Sequence, residues 1–271
     1  MRRRDLFAAT LAILAAAPAM AADGVAIKGV LAQGGLVEGR APPGTRVTID
    51  GRPARVAPQG IFLVGAGREA KTVALEIVYP DGRREAQQLA VQQRQFAVQR
   101  IDGLPDKMVT PPPAVQARIK AEGEQVRAVR RRDDARLDFH VAFAWPVTGR
   151  ISGVYGSQRI LNGEPRAPHY GVDIAGPVGT PIKAPAPGIV TLAADLYFTG
   201  WTVILDHGHG LSSVLMHLDS VVAKEGQALK QGEVLGTLGA TGRATGPHLH
   251  WGLNLFETRL DPQLLVPPMP E

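Results

Sequence analysis

The sequence predicts a mainly β protein, with an N-terminal β-sandwich of Ig-like kind, a short helical linker and a C-terminal antiparallel β unit. Three observations predict it. The 31 Gly and 22 Pro are dispersed through 271 residues, which suits many short strands joined by tight turns rather than long helices. Short apolar runs alternate with turn signals in both halves of the chain. A composition 45% hydrophobic and 20% charged is ordinary for a globular protein, and at this length it supports one or two buried cores, two being the better reading.

Residues 1–21 read as an export leader. Arg2, Arg3 and Arg4 form a positive n-region, Leu6 to Pro18 an apolar h-region, and Ala19-Met20-Ala21 a small-x-small cleavage site. The apolar run falls short of the roughly 20 residues that cross a bilayer. A mature chain starting near Ala22 is therefore expected in the periplasm or cell envelope, with no stable membrane insertion. Arg3-Arg4-Asp5-Leu6-Phe7 also resembles a twin-arginine export signal. The absence of Cys leaves the fold to core burial and removes thiolate nucleophiles, thiolate metal ligands and a lipid anchor on cysteine. The net charge of +5 falls to about +3 without the leader, a mild balance compatible with an anionic polymer and diagnostic of nothing.

Residues 22–103 carry the sandwich. Val47-Thr48-Ile49 runs into the hairpin signal Asp50-Gly51, Ile61-Phe62-Leu63-Val64 follows Gly60, and Val73 to Tyr79 runs into Pro80-Asp81-Gly82. The segment contains no His, so it reads as a spacer or binding module. Residues 104–142 form the linker. Thr110 can cap a helix that Pro111-Pro112-Pro113 starts and that carries Val115, Ile119 and Val126 on one side. The run Arg130-Arg131-Arg132 is followed by Asp133-Asp134 and has no interleaved aromatics, so it reads as solvated helix rather than a nucleic-acid patch.

All seven histidines follow Phe139, which assigns histidine chemistry to the last unit, residues 143–266. His248 and His250 are two apart. In a strand both side chains face one way, about 6.6 Å apart, with Leu249 facing the other. His169 and Asp173 are four apart, about 13 Å in a straight strand, so the chain must bend between them to share a ligand, and Gly171 permits the bend. His217 ends the apolar run Leu211 to Met216; a histidine there is more often a satisfied core residue, and only its company suggests more.

His169-x-x-x-Asp173, Met216-His217-Leu218 and Thr245-Gly246-Pro247-His248-Leu249-His250, in that order, resemble the lysostaphin-type (LytM-like) zinc metallopeptidases over about Ile151 to Pro262. The resemblance implies a peptidase domain of that type acting on peptidoglycan cross-links, with one Zn2+ per chain held by His169, Asp173 and His250. It maps the two non-ligand catalytic histidines onto His217 and His248. Three protein N/O ligands with a fourth position left for water is the usual catalytic zinc set, and no His-Glu-x-x-His helix is present to supply a glutamate base. Two positions depart from the family: Leu215 stands where an aromatic is frequent, and Gly252 where Glu is common.

His207 and His209 fall where the family has a hairpin turn and read as structural; His140, in the linker, has no assigned role. Ala184 to Val190 with Lys224 to Gly232 also resembles biotin- and lipoate-bearing carrier domains. No modifiable lysine lies between Lys183 and Lys224, which sets that reading aside. The remaining alternative is a non-catalytic wall-binding protein or an activator of amidases.

Overall fold

The computed structural model describes residues 24–102 and 111–270. The expected export leader and the Thr110 helix cap lie outside the described residues.

The N-terminal region packs two small antiparallel sheets face to face. One contains β1 (Ala26–Lys28), β2 (Leu36–Arg40) and β5 (Ile61–Gly65); the other runs β4 (Arg52–Ala54), β3 (Arg46–Ile49), β6 (Thr72–Val78) and β7 (Arg84–Ala90). Asp50 and Gly51 close the β3–β4 hairpin with φ of 47° and 77°, the double left-handed geometry that fits the right-handed strand twist. Alternation sends Val73, Leu75 and Ile77 of β6 inward against Val47, Phe62 and Val64. A Cβ on Gly39 would lie 2.1 Å from the Phe62 ring, so that strand position must be glycine.

Strand β5 is buried on both faces. Phe62 and Val64 fill the N-terminal core, whereas Ile61 and Leu63 turn into the C-terminal one beside Phe139, Phe143 and Leu260. The two regions therefore share β5 as a wall, which explains its uninterrupted apolar run.

A ten-stranded sheet dominates the rest. Its main path is β17 (Ala228–Leu229), β14 (Gly188–Leu196), β15 (Gly200–Gly208), β16 (Leu211–Val221), β19 (His248–Leu255), β12 (Val172–Ala175) and β9 (Arg150–Gly153). β18 (Val234–Leu238) pairs with β16 and with β13 (Pro181–Lys183), and β20 (Thr258–Leu260) forms a hairpin with β19. Leu215, Leu249, Trp251 and Leu253 fill the core below the sheet. Above it, Leu192, Ile204 and Val214 meet Val126 and Val129 of α1 (Pro113–Arg130), which carries prolines at its first turn and Arg127 and Arg130 at its last.

One strand departs from the expected division at residue 103. β8 (Val98–Ile101) pairs in parallel with β10 (Gln158–Leu161), which also pairs with β11 (Glu164–Pro165), so the chain leaving the N-terminal sheets adds an edge to the C-terminal region. β8 thereby satisfies the backbone groups of the β10 edge opposite β11.

Candidate metal centre

Sheet register builds the site. β12 pairs with β19 so that Asp173 lies opposite His250, and β19 pairs with β16 so that His250 lies opposite Met216. Directly opposed residues share a face, which puts Asp173 and His250 side by side on the face that α1 partly covers. His169 reaches them from the loop before β12. Its backbone is fixed twice, the His169 N–H donating to Ser157 O (2.8 Å) and the Gly156 N–H donating to His169 O (2.7 Å). The bend expected between His169 and Asp173 falls at Gly171. A Cβ there would stand 2.6 Å from His250 Nε2, so the glycine is needed for space as much as for the bend.

Three donor atoms converge. His169 Nε2 lies 2.9 Å from Asp173 Oδ1 and 2.9 Å from His250 Nδ1, and His250 Nδ1 lies 2.8 Å from Asp173 Oδ1. Among the described residues these side chains are the group whose chemistry and spacing could hold a metal ion, and all three are buried. His169 Nδ1–H donates to Val154 O at 3.1 Å, which fixes the tautomer and leaves the Nε2 lone pair facing the other two donors. Burial opposes charge on Asp173, but the His169 and His250 rings, 2.9 and 2.8 Å from its Oδ1, outweigh it and hold the carboxyl well below its ordinary value. Burial pushes the His250 imidazole down despite the pull of Asp173. An ionised carboxylate beside neutral imidazoles is the protonation state that cation ligation requires, so the residues fit a divalent metal. Gly153, opposite Asp173 on β9, gives the carboxylate room: a Cβ there would meet Asp173 Oδ2 at 2.4 Å.

His217 and His248 stand next to this triangle, their ring centroids 4.8 Å apart, with His217 6.3 Å from the His250 ring. Strict alternation along β16 would send His217 to the face away from Met216. A bulge prevents this. Between the pairs Leu215–Val203 and Leu218–Trp201, β16 advances by one residue more than β15, and His217 takes up the excess with φ of 65°. The ring then donates Nδ1–H to Thr241 O (2.8 Å), and His248 donates Nδ1–H to Gly246 O (2.8 Å). Each therefore keeps its Nε2 as a lone-pair acceptor. Burial, and next the neighbouring His250 and His248, push His217 down to about 3.

The structure thus brings together all five expected residues, His169, Asp173, His217, His248 and His250. His207, His209 and His140 stay apart from them: His207 and His209 sit at the β15–β16 turn, and His140 pairs with Glu38 at 2.9 Å. The residue inspection missed was Arg159, whose Nη2 lies 3.3 Å from Asp173 Oδ2; an arginine in a polar loop gives no local signal of that contact. Two clefts flank the centre. One of about 140 Å³ lies beside Asp173, His217 and His248, and one of about 480 Å³ lies between α1 and the sheet, with Tyr170, Met216 and His250 on its wall.

The sequence profile of peptidase family M23 matches residues 167–262. The crystal structure of a candidate peptidase M23 from Pseudomonas aeruginosa is 33% identical and superposes with a TM-score of 0.68, the match covering 87% of this chain and 94% of that one. Peptidoglycan DD-endopeptidase ShyA of Vibrio cholerae is 37% identical over 105 residues, 38% of this chain and 24% of the relative. DD-carboxypeptidase/endopeptidase Mpg of Neisseria meningitidis is 37% identical over 103 residues, again 38% and 24%. The matched segment spans about a quarter of the length of these two curated relatives.

Proposed function

The chain belongs to peptidase family M23, and from that premise we propose that it is a zinc-dependent endopeptidase hydrolysing peptide cross-links of bacterial peptidoglycan. The convergence of His169 Nε2, Asp173 Oδ1 and His250 Nδ1 within 2.9 Å of one another is the observation that carries the reading. The names of the relatives ShyA and Mpg support the substrate class. In this reading the catalytic unit is residues 143–266, and the protein works where its substrate lies, in the periplasm or cell envelope. Among the described residues no helix is long and apolar enough to cross a membrane.

Two imidazoles and one carboxylate are a usual set for catalytic zinc, and His169, Asp173 and His250 would hold it. When bound, the ion supplies Lewis acidity, polarising a carbonyl and acidifying water. The chain's own groups supply the rest. His217 and His248, each locked by its backbone acceptor, aim Nε2 at the cleft. One accepts the proton of the attacking water at Nε2 and returns it to the leaving amine; the other stands beside it, the two ring centroids 4.8 Å apart. The Thr241 and Gly246 carbonyls keep both rings from rotating, so the geometry is set before substrate arrives.

The reading is tested by metal analysis of the purified chain and by chromatography of the fragments it releases from cross-linked peptidoglycan. One zinc per chain and new peptide ends are expected from wild type, and neither from His250→Ala. A metal-free protein that still binds the wall, or a zinc-loaded one that leaves every cross-link intact, would favour the non-catalytic alternative.

A further inference from the structure

We propose that the cleft between α1 and the sheet is an anion-binding subsite beside His250, in which the Arg259 and Arg127 guanidinium groups, backed by Arg130, hold a carboxylate of the wall peptide. The proposal rests on the peptidase reading and deepens it.

Local structure brings the three arginines together. On β20, Leu260 points into the core below the sheet, so its neighbour Arg259 points to the opposite face, where α1 lies. Helical spacing puts Ile119, Gly123, Val126, Arg127 and Arg130 on the side of α1 that faces the same cleft. Gly123 sits mid-helix, where glycine costs stability relative to alanine. A Cβ there would meet only the end of Arg127, with Nη1 3.5 Å away, so no packing requires the glycine and its missing side chain leaves the cleft wider.

The cleft is open to a ligand and short of acids. It holds about 480 Å³, a volume in the range of sites that bury a small molecule, and His250 and Tyr170 on its wall place it against the metal centre. Arg127 is exposed and Arg259 half-buried, so neither is sealed from solvent. Among the described residues none of the three arginines makes a side-chain hydrogen bond or has a carboxylate within ion-pair distance. Two acids line the cleft. Glu122 is already engaged, accepting from Arg118 Nε at 2.5 Å and from the Tyr197 N–H at 2.9 Å. Glu257 is exposed and leaves three guanidinium groups facing one carboxylate.

The electrostatics point the same way. Arg130 is 5% exposed, and burial, then the charge of Arg259, push it down to about 9, so it stays cationic at neutral pH and keeps the cleft positive behind Arg259. Burial also pushes Arg259 down. An incoming anion offsets both penalties. Arg259 stands 6.0 Å from the Tyr170 ring centroid, next in sequence to the ligand His169, which sets it beside the scissile position. The planar fork of a guanidinium matches a carboxylate in two parallel hydrogen bonds. Ile204, Val214 and Met216 on the floor suit the aliphatic part of the same peptide.

The test uses the full, zinc-loaded chain and a synthetic cross-linked stem peptide in two forms, with its carboxylates free or amidated. Wild type is expected to favour the free acid by about tenfold in kcat/KM, mostly through KM. Arg259→Gln should bring the ratio near one while zinc content stays at one per chain, and Arg259→Lys should restore it in part, since a point charge lacks the fork. Arg127→Gln should lower the ratio about twofold, as for an exposed charge. Glu257→Gln, which removes the competing acid, should raise it. Equal hydrolysis of both forms by wild type, or an undiminished preference in Arg259→Gln, overturns the subsite and leaves the peptidase reading standing. If Arg259→Gln does not fold, the two exposed positions decide, and an unchanged ratio in both Arg127→Gln and Glu257→Gln overturns the subsite. Hydrolysis of neither form by wild type overturns the peptidase reading and the subsite with it.

Discussion

Two groups of buried histidines share the C-terminal sheet, and they use their lone pairs in opposite ways. At the β15–β16 turn, His207 donates Nδ1–H to Pro187 O at 2.6 Å and accepts at Nε2 from the Ser213 hydroxyl at 2.9 Å, while Ser213 accepts in turn from the Trp251 indole N–H at 3.2 Å. That relay leaves the His207 ring with no lone pair to offer. His209, beside it, packs on the Phe139 ring with centroids 5.0 Å apart. At the other group each histidine gives its N–H away or packs it down and turns a lone pair toward a shared point. Burial is common to both groups, with His248 half-buried. What separates them is convergence, and the glycines and the bulge create convergence only at the second.

The comparison can be broken most severely at the ligands. His250→Ala should abolish both bound zinc and peptide hydrolysis, whereas His207→Gln should keep one zinc per chain; elemental analysis of the two variants side by side decides the matter. A smaller effect is expected from His217→Ala and His248→Ala. Each should lower kcat by about 10²–10⁴-fold with zinc retained, the range for loss of a general acid or base, as measured by steady-state kinetics on a cross-linked peptide. Smaller again, Gly153→Ala forces a methyl against Asp173 and should weaken zinc affinity by about 10–100-fold, read by competition with a chelating dye.

The mildest test addresses the structural group by pH. Burial holds the His207 imidazole at about 4 against the ordinary 6.5, so the unfolded chain takes up the proton first as pH falls. Stability from this group is full above pH 6.5 and is lost on descending toward pH 4, by up to about 3 kcal/mol over that span. Urea unfolding at the two ends of this range should show the loss in wild type, and a flatter response in His207→Gln.

Much of the centre was legible in the residues. The two-residue spacing of His248 and His250 needs only a strand to aim both rings one way, and the four-residue spacing of His169 and Asp173 demands a bend that Gly171 supplies. The setting of His217 was not legible from periodicity, because a left-handed histidine in a strand bulge has no sequence signature and parity assigns it to the wrong face. The same limit hid Arg159, whose partner lies 14 residues away across the site. In the fold, the apolar run of β5 marked a strand but not the second core it seals, and the pairing of β8 with β10 depends on which backbone edge is open after folding.

The central claim is that three donor atoms share one cation. Crystals of the zinc-loaded protein, measured on either side of the zinc absorption edge, test it directly. The expected result is one anomalous peak per chain within about 2.0–2.2 Å of His169 Nε2, Asp173 Oδ1 and His250 Nδ1. A peak bound instead at His207 or His209, or one missing any of those three contacts, would contradict it.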